Sequence, residues 1–433
     1  MQANKVIKNA TWIIVCRVIQ ALLSLIISML TARYLGPSNY GIINYASSIV
    51  AFLVPIMQLG FRNTLVQEFV KKPNEEGKIL GTALVLNVIS AVFCIIGVIS
   101  FVLIANRGET DTIIVCSLYS INLIFQALEM SQYWYQVKLL SKYTSIVSLC
   151  AYIVVSIYRI YLLITGKSIY WFAISQTLDF MIIAIALLII YYKVGKQKLF
   201  FSLKTGKEMF SVSKYYIVSS MMVTVFGHIG SILLKFLMDD AAVGFYTTTI
   251  ACTGMTSFIF AAIVDSARPS VLESRAVSKN VFEKNMISLY TIIIYVSLLQ
   301  GLVLSIFAPL AVRVLYGSAY DSAVMPLRIM SWFTVFSNIG TVRNVWILAE
   351  EKQKYLWIIN LSGAMTNIVL NLLLIPAMGV SGAALASVIT QFFTNVIMSY
   401  LIKPIKNNNK LMLKSLNPKY LSNMIKLIRR HNI

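Results

Sequence analysis

Charge is what this sequence has least of. Asp, Glu, Lys and Arg together make up 12% of its 433 residues, about half the share of an ordinary water-soluble domain. So few charges cannot cover a water-facing surface, which excludes a soluble globular fold. Acids are the scarcer sign: 16 Asp and Glu stand against 37 Lys and Arg, for a formal net charge of +21. The two histidines, His228 and His431, are far apart in sequence and suggest no ligand cluster. The five cysteines, Cys16, Cys94, Cys116, Cys150 and Cys252, all fall inside apolar stretches. They read as small buried hydrophobes rather than a disulfide, metal or redox set. Catalytic signatures are missing as well. Thr165-Gly166-Lys167-Ser168 imitates the end of a phosphate-binding loop, but Tyr161 occupies the place of its first glycine. No zinc motif, nucleophile elbow or kinase set occurs, so neither enzyme activity nor a cofactor is expected.

What the chain has instead is apolar length. It is 58% hydrophobic, with a mean hydropathy of +0.78. About 20 apolar residues span the hydrocarbon core as a helix. Apolar windows place spans near 10–33, 41–61, 79–105, 112–136, 144–165 and 171–192, then 213–236, 243–266, 286–311, 325–348, 356–376 and 380–402. Transmembrane β-strands are excluded, because they are about 10 residues long and alternate in hydrophobicity. The expected fold is an all-α integral membrane protein: twelve transmembrane helices in two six-helix halves around a central cavity. The first apolar run is far longer than the core of a signal peptide and reads as a first helix.

The connecting segments alternate in charge. Most of the Lys and Arg residues lie at the two ends and between even and odd spans, as in Arg62, Lys71, Lys72 and Lys78, or Lys193, Lys198, Lys204 and Lys207. Basic loops stay on the cytoplasmic side during insertion, so both termini are expected in the cytoplasm. The basic tail from Lys403 to Arg430 suits anionic lipid headgroups better than nucleic acid, for which nothing else argues.

The longest polar linker, 193–212, divides the chain into an N-terminal half (1–197) and a C-terminal half (198–402), followed by the tail at 403–433. The halves resemble each other. YLGPSNYGIINYASSI (Tyr34 to Ile49) matches FLMDDAAVGFYTTTI (Phe236 to Ile250). QLGFRNTLVQE, with Arg62 ahead of Glu68, matches VDSARPSVLE, with Arg268 ahead of Glu273. An even number of spans per half makes this a parallel repeat. Transporters of that kind hold substrate between their halves near mid-membrane and alternate access by rocking.

Polar residues recur at helical spacing inside several spans. The first carries Arg17, Gln20, Ser24, Ser28 and Thr31, and the seventh carries Ser213, Tyr216, Ser220, Thr224, Gly227, Ser231 and Lys235. The fourth has Asn122, Gln126, Glu129 and Tyr133, the tenth Ser331, Thr334, Asn338 and Thr341, and the eleventh Asn360, Asn367 and Asn371. Such stripes either glue helices together or line a cavity. Gln20, Ser24, Ser28, Ser220, Thr224, Asn122, Gln126, Asn338 and Asn367 are the candidate cavity-lining residues. Arg17 lies about 10 Å into its helix at 1.5 Å per residue, where it either snorkels to the headgroups or lines an aqueous cavity. Arg343 sits near a helix end, Arg62 and Arg268 at the cytoplasmic mouth, and Arg159 within snorkelling reach of the outer face. Three acids, Glu129, Asp179 and Asp265, fall within spans. They are candidates for ion coupling, with pairing to arginine as the alternative.

The segment INLSGAMTNIVLNLLLIPAMGVSGAALASVITQ (Ile359 to Gln391) resembles the last two spans of polysaccharide flippases in the multidrug/oligosaccharidyl-lipid/polysaccharide exporter superfamily. Asn367, Asn371, Ile375-Pro376, Gly379 and Gly382-Ala383-Ala384 carry the likeness. TARYLGPSNYGIINYA (Thr31 to Ala46) is similar to the first hairpin of the same family. The resemblance implies a Wzx-type flippase of the bacterial cytoplasmic (inner) membrane. It would turn an undecaprenyl-pyrophosphate-linked oligosaccharide repeat unit from the cytoplasmic to the outer leaflet, for O-antigen, capsule or exopolysaccharide biosynthesis. It implies membrane lipids and the lipid-linked glycan as partners and raises a polysaccharide polymerase as a further one. Arg17, Arg62, Arg268 and Arg343 are then the candidate pyrophosphate binders, because guanidinium grips phosphate oxygens bidentately. The alternatives are an ion-coupled drug or cation exporter of the same superfamily, which favours acids in its cavity, and a lipid II flippase, which usually has fourteen spans. A major facilitator carrier is disfavoured, since the loop after the second span lacks its signature.

The topology makes a direct prediction. Reporter fusions at the 193–212 linker and just after Lys403 are expected to report the cytoplasm; an external signal at either place refutes the twelve-span arrangement.

Overall fold

In the computed structural model, which describes residues 2–195, 197–420 and 422, the described residues form helices and no strands. All twelve expected windows fall on helical segments. Nine segments among the described residues are long and apolar enough to cross a membrane, ten if one bent pair counts as a single span. The chain is a multi-pass membrane protein.

The helices are α1 (Gln2–Met57), α2 (Phe61–Lys71), α3 (Glu76–Ala105), α4 (Thr110–Ser120), α5 (Asn122–Glu129) and α6 (Gln132–Val137). After these come α7 (Ser141–Ile164), α8 (Ile169–Val194), α9 (Leu203–Leu237), α10 (Asp240–Gly254), α11 (Ser257–Val277) and α12 (Lys279–Tyr316). The last are α13 (Val324–Met330), α14 (Phe333–Ala349), α15 (Leu356–Met378), α16 (Val380–Phe392), α17 (Met398–Leu401) and α18 (Lys406–Ser415). They differ from the expected spans where helices break. The apolar stretch Val15–Met57 of α1 has 43 residues. At 1.5 Å per residue that is about 64 Å, roughly twice the hydrocarbon thickness. Gly36 divides it: φ 71°, ψ 172° is a backbone conformation open to glycine, and Pro37 follows. Residues 110–137 are a single stretch broken into α4, α5 and α6. The tenth expected span, 325–348, is broken at Ser331 and Trp332 into α13 and α14. α10 and α11 bend by 41° at their junction.

The chain packs as two compact units, Met1–Ile232 and Leu233–Ile433, with the division inside α9. The core of the first unit gathers Phe61, Leu65 and Phe69 of α2, Ile79 to Leu84 of α3, Tyr133 to Tyr135 of α6, and Ile183, Leu187 and Tyr191 of α8. The Trp134 ring packs edge-on against Tyr135 and Tyr191, with both centroids at 5.0 Å. Its indole Nε1 donates to Glu76 Oε2 at 2.8 Å, and Lys138 forms an ion pair with the other carboxylate oxygen. Those two partners make burial of Glu76 tolerable. The linker that follows α8 is not a free loop. Gly77 N donates to Gln197 Oε1 at 2.9 Å, Gln197 Nε2 to Pro73 O at 3.0 Å, and Ser202 N to Thr82 Oγ1 at 3.0 Å. Residues 197–202 thus form a strap across the start of α3. It lies so close that a side chain at Gly77 would meet the Lys198 carbonyl oxygen at 2.2 Å.

The core of the second unit joins α11, α12, α14, Ile359 of α15, and Ile405, Leu411 and Met412. The expected basic tail therefore begins as a docked helix, not as a loose chain. Tyr290 Oη donates to Asn408 Oδ1 at 2.9 Å, Lys352 Nζ to Pro404 O at 2.6 Å, and Asn409 Nδ2 to Val396 O at 2.8 Å. Lys406, Lys410 and Lys414 are exposed on the other face of α18. Residues 421 and 423–433 of the tail, with His431, lie outside the described residues.

Candidate functional site

A polar cavity of about 460 Å³ opens in the first unit. Three elements build it. The second arm of α1, residues 37–57, contributes Ala51, Val54 and Pro55. The turn after that arm contributes Gln58 and Gly60, and α2 adds Arg62. α9 adds Tyr216, Ser220, Thr224 and His228. Three sequence candidates, Arg62, Ser220 and Thr224, are brought together here from positions far apart in the chain.

The turn that sets Arg62 in place is tightly constrained. Leu59 has φ 50° and Gly60 φ 66°, so two successive residues occupy left-handed space. Leucine rarely does so without enforcement by its surroundings. Gly60 also packs so tightly on α9 that an added Cβ would lie 2.4 Å from Ser213 O. A side chain there would strain the turn and push α9 off it together. On the far side of α2, Lys72 pairs with Glu68 at 3.2 Å and Glu208 at 3.5 Å, tying α2 to the start of α9. The hydrogen bond that Lys72 donates to Glu68, with a smaller contribution from Glu208, holds the Lys72 ammonium above its ordinary pKa. Within the cavity wall, His228 Nδ1 lies 3.4 Å from Ser48 Oγ, whose hydroxyl already donates to Asn44 O at 2.8 Å. Ser48 is then the acceptor and His228 Nδ1 the donor.

A second, smaller cavity of about 200 Å³ in the same unit is lined by Ser24, Ser28, Asn44, Tyr119, Tyr152 and Arg159, among others. Ser28 Oγ and Tyr40 Oη are 2.8 Å apart. Arg159 does not reach out to the headgroups as the sequence suggested. Its Nε donates to Ser175 Oγ at 2.8 Å and its NH2 to Gln176 Oε1 at 3.0 Å, both on α8. Asp179, one turn further along α8, is within electrostatic range of Arg159 and of Glu129. It is 8% exposed, and its Oδ1 has no hydrogen-bond partner among the described residues. Two of the three expected coupling acids thus neighbour each other.

The remaining candidates sit elsewhere. Arg17 is exposed on α1 and Gln20 is half-buried. Gln126 Nε2 donates to Asn122 Oδ1 at 2.9 Å, one turn away on α5. Asn338 Nδ2 donates to Ser297 Oγ at 3.1 Å, and Asn367 Nδ2 to Thr390 Oγ1 at 3.3 Å. These last two amides join helices of the second unit, α14 to α12 and α15 to α16. Asp265 and Arg268 pair with each other at 3.1 Å on the exposed face of α11. Arg343 is 3% exposed and donates to Thr394 O at 3.0 Å and Asn344 Oδ1 at 3.1 Å, so it is embedded in the packing of α14. Lys235 pairs with Asp240 at 2.7 Å across the α9–α10 turn. Sequence reasoning missed Gln58, His228 and the inward turn of Arg159. Gln58 precedes a helix break, and that break was its only signal.

The sequence model of the polysaccharide biosynthesis protein family matches residues 6–273. The chain belongs to that family. The capsular polysaccharide biosynthesis protein CapF of Staphylococcus aureus is 25% identical over 409 residues, covering 92% of this chain and all of that one. Among solved structures, the lipid II flippase MurJ in an inward closed conformation shares the fold with a TM-score of 0.71 at 16% identity. The alignment covers 93% of this family member and 90% of MurJ. An inward-facing multidrug transporter of the MATE family, in the MOP superfamily, gives 0.69 at 13% identity, covering 90% and 96%. The fold of these two transporters thus extends over nearly the whole chain.

The geometry of the turn predicts that Gly60→Ala costs about 1–3 kcal/mol through strain and overpacking. Thermal unfolding of the purified protein should show a lowered midpoint, while Gly254→Ala, where the added atom meets open space, should show little change.

Proposed function

We propose that the protein is a flippase for an oligosaccharide repeat unit linked to undecaprenyl pyrophosphate, carrying it from the cytoplasmic to the outer leaflet of a bacterial cytoplasmic membrane by alternating access. The observation that carries this reading is the polar cavity of a multi-pass member of the polysaccharide biosynthesis family. In it a guanidinium, Arg62, stands with the Gln58 amide, the hydroxyls of Tyr216, Ser220 and Thr224, and the His228 imidazole. A diphosphate is anionic, and arginine binds its oxygens with a planar fork. Hydroxyl and amide groups match sugar hydroxyls. The capsular role in the name of the Staphylococcus aureus relative points to a surface glycan.

Arg62 is the principal diphosphate ligand in this scheme. Arg17 and Arg268, both exposed, make further contacts as the headgroup enters from the cytoplasm, where both termini lie. Arg343 is left out, because it is buried in the packing of α14, with NH1 and NH2 donating to Thr394 O and Asn344 Oδ1. Glu129 and Asp179 are the proposed ion-coupling pair. Charges placed among apolar helices are costly, and two neighbouring carboxylates provide a place where a cation or proton offsets that cost.

Complementation of a flippase-deficient strain, with immunoblots for abundance, tests the arginines. Arg62→Ala is expected to abolish complementation at normal protein level, with Arg62→Lys and Arg17→Lys partly defective. Full complementation by Arg62→Ala refutes the assignment. Coupling is tested in proteoliposomes under an imposed ion gradient. Glu129→Gln with Asp179→Asn is expected to leave lipid-linked glycan movement insensitive to the gradient, and unchanged gradient dependence rules the pair out.

A further inference from the structure

A further cavity of the first unit, about 760 Å³, is separate from the polar one and apolar throughout except for Ser90. It runs along α3 from Leu86 to Phe101, about 22 Å at 1.5 Å per residue, or most of the roughly 30 Å hydrocarbon layer. Its walls include Phe52 from α1, Phe93 and Phe101 from α3, and Ile232 from α9. Its floor is open at Gly97, where an added Cβ would meet nothing within 4 Å.

The same two helices wall both cavities. On the second arm of α1, Phe52, Leu53 and Ile56 face the apolar groove, while Ala51, Val54 and Pro55 face the polar cavity. At 100° per residue these sets lie on opposite sides of one helix. On α9, Ile229 and Ile232 belong to the groove, and Tyr216, Ser220, Thr224 and His228 to the polar side. Both spaces also border the strained turn. Leu59 borders the groove, and its neighbours Gln58 and Gly60 border the polar cavity. A polar cavity bordered by a guanidinium and a long apolar groove that share two helices and a turn fit one molecule with a charged head and an extended apolar tail.

We infer that this groove binds the polyprenyl tail of the lipid-linked glycan while the diphosphate sits beside Arg62. The tail is thus held against the protein during transfer rather than left free in the bilayer. This assignment rests on the proposed flippase function and adds to it a second binding surface. Burial of branched apolar chain in a concave, phenylalanine-lined channel removes apolar area from contact with mobile lipid and fixes the tail's direction relative to the head. The groove then selects carriers by the length and branching of their tails, independently of the sugar.

Native mass spectrometry of the full chain in detergent, titrated with undecaprenyl pyrophosphate, inorganic pyrophosphate and phosphatidylglycerol, tests the inference. Gly97→Phe fills the groove from its floor, and Ile89→Trp from its exposed wall. Ile189→Trp, at a similarly exposed apolar position on α8, is the control. Both groove variants are expected to bind undecaprenyl pyrophosphate about tenfold more weakly, through the loss of a side chain's worth of packing contacts. Inorganic pyrophosphate binding should be unchanged in them, and Arg62→Ala should weaken both pyrophosphates. Unchanged undecaprenyl pyrophosphate binding in both groove variants overturns the tail assignment and leaves the Arg62 site standing. An equal loss for phosphatidylglycerol also overturns it, by making the groove a site for ordinary bilayer lipid. If the wild-type protein binds neither pyrophosphate, the headgroup site fails and the tail assignment falls with it.

Discussion

In hydrocarbon a backbone amide has no partner except its own chain or another protein group. Everything else in this molecule follows from how its helices meet that constraint. Where a helix runs unbroken, its backbone is satisfied internally, and function is confined to side chains on one face. Where a helix breaks, carbonyls and amides come free, and the sequence supplies something to meet them. The π-helical segment Phe393–Ile397 is an example: the Thr394 carbonyl accepts from the Arg343 guanidinium, and Asn395 Nδ2 donates to Phe336 O at 3.0 Å. The turn at Gln58 to Gly60 is another, and there the break opens onto a cavity. Breaks of both kinds use glycine, amide and guanidinium groups, which explains why polar residues concentrate near them.

The helical windows were legible because hydrophobicity over twenty residues is a property of the local chain. The stripe on α9 was legible for the same reason: Ser220 and Thr224 share a face at a one-turn spacing, and both line the polar cavity. What periodicity does not report is the identity of the neighbour across that face. Asn338 and Asn367 have the same pattern as Ser220, yet their amides meet Ser297 and Thr390 on packed helices. Arg159 looked free to reach the outer headgroups, because Ser175 and Gln176, which hold it, lie on the next helix. Arg62 and Arg268 occupy matching places in the sequence repeat, but their surroundings differ. The chain breaks just before Arg62, while α11 runs through Arg268 and supplies Asp265 as its partner. Repeats preserve the position of a residue more faithfully than its neighbours.

The charged groups fall into two populations. Lys235 with Asp240, Arg313 with Asp321 at 3.0 Å, and Arg275 with Glu350 at 2.7 Å are paired with partners on their own or adjoining elements. Arg62 belongs to the other population, since it borders a cavity large enough for a ligand. The anionic headgroup proposed for that cavity would supply the charge of opposite sign.

The strap at 197–202 changes what the middle of this chain is. By composition it is the hydrophilic hinge at which one would cut the molecule in two, graft in a tag, or expect a protease to nick. In the structure the Gln197 side chain spans Gly77 N and Pro73 O, and the Phe200 and Ser202 amides donate to Gly77 O and Thr82 Oγ1. Tolerance of insertion depends on how far the backbone is tied down, and here it is pinned at several points. Inserted residues here would have to loop out of a fastened seam, and two half-molecules separated at this point would each lose part of a surface the other completes. The seam is a closure stitched after the helices before it are made, and during synthesis it can form only once Gln197 has left the ribosome, long after Gly77 has been waiting for it.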